Sequence, residues 1–175
     1  VNTTGGQNTG VGWAALRANT CGCKNVAVGT CSLVANTTGA NNTAVGYKAL
    51  VTNTCGHCNT AVGYESLQAN TTGNYNTAVG RLAMYSNTTG AYNTAIGMHS
   101  LDANTSGLAN TASGYGALGS STSGHYNAAV GYLALTTNTT ASHNAAFGNY
   151  SMNLNTTGAG NAAVGSNALR NNTTG

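Results

Sequence analysis

Proline is absent from this chain and charge nearly so: five Lys and Arg stand against two acidic residues in 175, 4% in all. The absence of Pro and of a three-residue Gly period excludes a collagen helix. Disorder by self-repulsion needs low hydrophobicity with high net charge, and a chain 41% apolar with a formal charge of +3 has neither. No apolar run approaches the roughly 18 residues of a membrane span, and no charged-apolar-small leader is visible, so membrane insertion is not expected. Five dispersed cations make no nucleic-acid footprint. With Glu65 and Asp102 as the only carboxylates, neither a paired acid and base nor a Ser-His-Asp arrangement is expected, and the chain does not read as an enzyme. What is present instead is 26 Asn and 25 Gly, a surface solvated by amides and hydroxyls.

Those residues recur every 17 positions. Asn stands at Asn8, Asn25, Asn42, Asn59, Asn76, Asn93, Asn110, Asn127, Asn144 and Asn161. Gly keeps the same step from Gly12 and Gly29 through Gly46, Gly63, Gly80 and on to Gly165. Thr does so from Thr3 to Thr173 without a break. A second Asn column, Asn2 to Asn172, breaks only at Ser121, and a second Gly column, Gly5 to Gly175, only at Ala141. The unit read from Asn36 is N-T-T-G-x-x-N-T-A-V-G-Y-x-A-L-x-A, ten times without insertion or deletion. Variation gathers in two columns, one holding Lys24, Tyr75 and His143, the other Lys48, Glu65, His99 and Tyr150; these columns are expected to face solvent.

Seventeen residues are too few for a helical-hairpin repeat and suit one coil of an all-β parallel β-solenoid, a β-roll of ten coils. N-T-A-V-G reads as a short strand closed by Gly, A-L-x-A as a second, and T-G-x-x-N as a turn in which Gly supplies positive φ. Stacked at about 4.8 Å per coil, the ten make a rod about 48 Å long. Like then meets like. The Asn columns become hydrogen-bonded ladders, each bond contributing about 1 kcal/mol. N-T-A-V-G is restricted on both faces, whereas a solitary solenoid should fix only the inner one. The second face therefore predicts contact with another surface, most simply a three-fold bundle of parallel coils.

At Asn42–Tyr47, Asn59–Tyr64 and Asn127–Tyr132 the sequence resembles the YadA-like head of trimeric autotransporter adhesins, whose S-V-A-I-G motif repeats along a trimeric left-handed β-roll. It is also similar to N-T-T-G-x-x-N-T-A-V-G-Y-x-A-L arrays in tail fibres of phages and large viruses. The autotransporter unit is about three residues shorter, so the additional N-T-T segment widens a turn here. The resemblance covers the whole chain and implies a homotrimeric fibre, shaft or receptor-binding head, at a cell or virion surface, outside the cell. The alternative is a filament stacked end to end with a scaffold role, since the same N-T-T-G segment opens and closes the chain; a section of a longer fibre is the simpler expectation.

Chemistry-bearing residues are few. Cys21 with Cys23, and Cys55 with Cys58, can each clasp a Gly turn as a disulfide or stand as free thiols; Cys31 is the odd one. A zinc site from Cys21, Cys23, Cys55, His57 and Cys58 needs ligands to converge from two coils apart, so no metal or cofactor is expected. Asn-x-Ser/Thr sequons at Asn36, Asn70, Asn87, Asn138 and Asn155 are glycan acceptors by pattern but lie in a ladder column. Ice binding by ranked Thr is weakened where Thr43 and Thr60 give way to Ala128, Ala145 and Ala162. The candidate face for a glycan or protein receptor is aromatic: Trp13, Tyr47, Tyr64 and Tyr132 in one column, with Tyr75 and Tyr126 in the turn column.

Overall fold

The computed structural model describes residues 2–175. Ten three-residue strands, β1 (Thr9–Val11) to β10 (Ala162–Val164), follow one another at 17-residue intervals, with no helix among the described residues. They form a single ten-stranded parallel sheet in sequence order. Pairing is in register by whole coils, Thr43 with Thr60, Ala44 with Ala61 and Val45 with Val62. The chain is an all-β parallel solenoid. In every strand but β1, where Gly10 at the end of the stack is exposed, the middle residue is buried and its neighbours face outward, as in Thr43, Ala44 and Val45.

A-L-x-A is not a second strand. It runs as consecutive four-residue turns: in the coil after Gly46, Ala49 N–H donates to Gly46 O at 3.4 Å and Asn53 N–H to Leu50 O at 3.2 Å. The cause is backbone sign. Besides the strand-closing glycine, three positions per coil are left-handed, exemplified by Asn41 (φ 58°), Lys48 (φ 53°) and Leu50 (φ 52°), and a left-handed residue breaks the extended backbone of a strand. Even so, the backbone ladder continues round the turns, with Lys48 N–H on Thr30 O (3.0 Å) and Leu50 N–H on Ser66 O (3.1 Å).

This backbone leaves a mark in the sequence. Of the thirty residues at the three left-handed positions, none is Val, Ile or Thr, although 28 Thr, 11 Val and one Ile occur in the chain. Branching at Cβ crowds positive φ most severely. The inner left-handed column is Leu or Met throughout, Leu33 to Met152 wholly buried. A left-handed L-residue costs about 1–2 kcal/mol and burying a Leu side chain contributes about 1.5–3, so burial covers the backbone cost with little left over.

The strict glycines are sterically required. Gly63 has φ +136°, and a Cβ there would lie 2.5 Å from Gly80 O on the next coil. The unbroken Thr column also has a structural cause. Thr20, Cys21 and Gly22 N–H groups and the Thr20 hydroxyl all converge on Thr37 O at 3.0–3.1 Å.

Candidate functional site

The interior is divided between amides and aliphatics. Asn42 Nδ2 donates to Gly56 O (2.8 Å) and to Asn25 Oδ1 (3.2 Å), while Asn25 Oδ1 also takes the Asn42 backbone N–H at 2.9 Å. The second Asn column makes its own ladder: Asn36 Nδ2 donates to Asn19 Oδ1 at 2.8 Å and to Gly39 O at 3.0 Å. Gly39 O receives Asn25 Nδ2 as well, so one glycine carbonyl ties both ladders together. Asn36, Asn70, Asn87, Asn138 and Asn155 are fully buried, and each has Nδ2 hydrogen-bonded inside the coil. Nδ2 is the atom that would carry a sugar; the folded coil has no room for one there, which corrects the acceptor reading of these sequons.

The ladders have one flaw. Ser121 replaces Asn, and it leaves Asn104 Oδ1 and Ser121 Oγ buried without partners. On the following coil Ala141 replaces Gly. Beyond it the ladder contact stretches, Asn155 Nδ2 to Asn138 Oδ1 reaching 3.4 Å.

All five cysteines are free thiols, which corrects the turn-disulfide reading of Cys21, Cys23, Cys55 and Cys58. Two of the sulfurs have other partners. The Cys21 thiol hydrogen-bonds first to the Thr4 hydroxyl and then to Thr20, which lowers its pKa; Cys55 Sγ accepts from Thr54 Oγ1 at 3.8 Å. No group of three or more His, Cys, Asp or Glu able to hold a metal ion occurs among the described residues.

Most of the aromatic residues are exposed, Trp13 most of all, while Tyr85 and Tyr150 are half-buried. All but Tyr85, Phe147 and Tyr150 line the two borders of the sheet. Tyr47 stacks on Tyr64 and Tyr115 on Tyr132 along one border, each pair with ring centroids 5.3 Å apart. Along the other, Tyr75 stacks on Tyr92 (5.0 Å) and Tyr126 on His143 (5.1 Å). Stacking covers the ring faces, so the ladders offer edges and hydroxyls to a partner. Cations close some of the remaining faces, Lys48 Nζ 5.2 Å from Tyr47 and Arg81 Cζ 5.8 Å from Tyr64. The hydrogen bond to Tyr47 is the main influence raising the Lys48 pKa, with Glu65 adding less across 3.9 Å. Tyr132 is raised chiefly by Tyr150.

Between the aromatic borders lies the outer sheet face. One column reads Val11, Val28, Val45, Val62, Val79, Ile96, Ser113, Val130, Phe147 and Val164. Beside it runs Thr or Ala, with Val only at Val26. Val79, Ile96, Val130 and Phe147 are 37–47% exposed although they sit in the middle of a hydrogen-bonded sheet. Neither column carries a charge.

One feature was missed by reading residues column by column. His99 Nδ1 and Asp102 Oδ2 meet at 2.8 Å across a turn, beside an open notch of about 310 Å³. The i, i+3 spacing across successive turns was the available signal, hidden because the segment reads as a strand in the sequence. A comparison of the chain with protein-family models, with curated proteins and with solved structures finds no match.

Proposed function

We propose that this chain is a rigid segment of a surface fibre, shaft or adhesive head, in which three copies associate side by side through the outer faces of their sheets. The observation that carries the reading is the uncharged Val column with its Thr/Ala neighbour, turned outward over ten coils and exposed or half-exposed along its length. Nine steps of about 4.8 Å make it roughly 43 Å long, a continuous strip rather than the singly scattered apolar residues normal on a soluble surface. A second copy offers the same column at the same spacing, so coils of neighbouring chains can meet rung for rung. Small Thr and Ala beside the Val column let such faces approach closely. The fibre setting at a cell or virion surface rests on the resemblance of the N-T-A-V-G-Y units. Stiffness follows from ladders in every coil, which need no large core.

The alternative, an end-to-end filament with a scaffold role, differs in mass. Light scattering on the purified chain should give a discrete trimer, and Val62→Asp with Val79→Asp should yield monomers with an unchanged circular-dichroism spectrum. An open-ended size distribution insensitive to those substitutions favours the filament, and a wild-type monomer overturns both.

A further inference from the structure

The two-sided notch beside His99 is produced by the sequence at one coil. Gly116 stands in the outward left-handed column between His99 and Leu133, and Gly119 in the column between Asp102 and Thr136. Two neighbouring side chains are thus missing from a single coil while the coils on either side keep theirs. The flanking coils are two steps, about 9.6 Å, apart. Leu133 leans over Gly116 and Thr136 Oγ1 bonds Gly116 O at 3.0 Å, so what remains is an open, shallow notch against which one flat ring can lie. The volume of about 310 Å³ lies at the small end of ligand sites, enough for a single six-membered ring with substituents.

The lining is chemically divided. Leu133 leans in from one side, its Cδ2 only 2.6 Å from where a Gly116 Cβ would stand. The Tyr115 ring borders the same opening and stacks on Tyr132. Next to Tyr115, whose ring meets His99 at nearly right angles with centroids 6.2 Å apart, Asp102 holds the His99 ring by Nδ1. Asp102 Oδ1, His99 Nε2 and Ser120 Oγ make no hydrogen bond within the described chain. The occupant therefore needs an apolar ring face on one side and hydroxyl donors on its rim. The single carboxylate disfavours an anion.

We infer that this notch binds one neutral pyranose residue, its C–H face against Leu133 and the edge of Tyr115 and its hydroxyls on Asp102, His99 and Ser120. The inference goes beyond the fibre reading and does not depend on it, because the notch lies on the turns following the strand and not on the sheet face. Saturation-transfer NMR on the wild-type chain, with a panel of neutral methyl pyranosides and methyl uronosides as anionic controls, tests it. At least one neutral pyranoside should bind with a Kd of order 1 mM, and the uronosides at least tenfold more weakly.

Gly116→Leu should abolish the signal by filling the gap. The backbone admits Leu, since Leu82 and Leu133 occupy the same left-handed position, with the flexible end of Leu133 turning aside from the new Cβ; an unchanged melting curve checks this. Asp102→Asn should weaken binding about tenfold, while Lys24→Ala, at an exposed residue several coils away, leaves it unchanged. A disaccharide with the bound sugar at its non-reducing end separates the sources: retained binding points to a glycan terminus, lost binding to a free monosaccharide. No response from any neutral pyranoside, equal response from the uronosides, or a response that survives Gly116→Leu overturns the inference.

Discussion

In the coil from Asn42 to Cys58, Asn42, Asn53 and Gly56 build one compartment of the interior, and Ala44, Ala49 and Leu50 the other. Both are dry, yet they tolerate change differently. On the aliphatic side Met84 and Met152 replace Leu with no loss of burial, and Ser66 replaces Ala by turning its hydroxyl onto Ala78 O at 3.0 Å. Apolar contact is non-directional, so volume and patterning suffice. On the amide side each group is both donor and acceptor for its neighbours above and below. The one substitution in the second Asn column, Ser121, orphans two buried atoms. Directional bonds transmit a local change to the next coil; packing absorbs it.

The largest effect should come from breaking the amide side. Asn76 Oδ1 accepts the Asn93 backbone N–H at 3.0 Å and its Nδ2 donates to Gly90 O at 2.8 Å. Asn76→Leu orphans that N–H and overfills the site, so a loss of about 4 kcal/mol in urea unfolding is expected. Leu67→Ala attacks the aliphatic side and should cost about 3 kcal/mol. Equal or reversed losses would erase the distinction between the compartments. Repair is the next test: Ser121→Asn together with Ala141→Gly should gain about 1 kcal/mol. Each alone should gain less, because the two sites share Asn138, whose Nδ2 bonds Ala141 O at 3.0 Å.

Outside both compartments, Tyr75→Ala removes one exposed stacking partner and should stay within about 0.5 kcal/mol of wild type. The smallest perturbation is chemical. Cys21 is exposed and its thiol pKa is lowered by Thr4 and Thr20, so more of it is thiolate at neutral pH. Timed alkylation with iodoacetamide, read by peptide mass spectrometry, should label Cys21 before Cys23, Cys31, Cys55 and Cys58, with no change in melting.

The 17-residue step by itself determined that coils stack in register and that Asn meets Asn and Gly meets Gly, since an uninterrupted repeat permits no other neighbour. The strand at Thr43–Val45 was legible for the same reason. The turns at Ala49–Asn53 were not, because Leu and Ala carry no turn signal of their own. Their left-handed backbone is imposed by the ladder, and the exclusion of Val, Ile and Thr from those columns is visible only once the φ signs are known. Which amide hydrogens are spent inside, where the thiols turn, and that two missing side chains open a notch beside His99 and Asp102 depend on contacts between coils. Sequence periodicity fixes which residues are neighbours, while the direction of each side chain depends on backbone dihedrals that only the folded stack supplies.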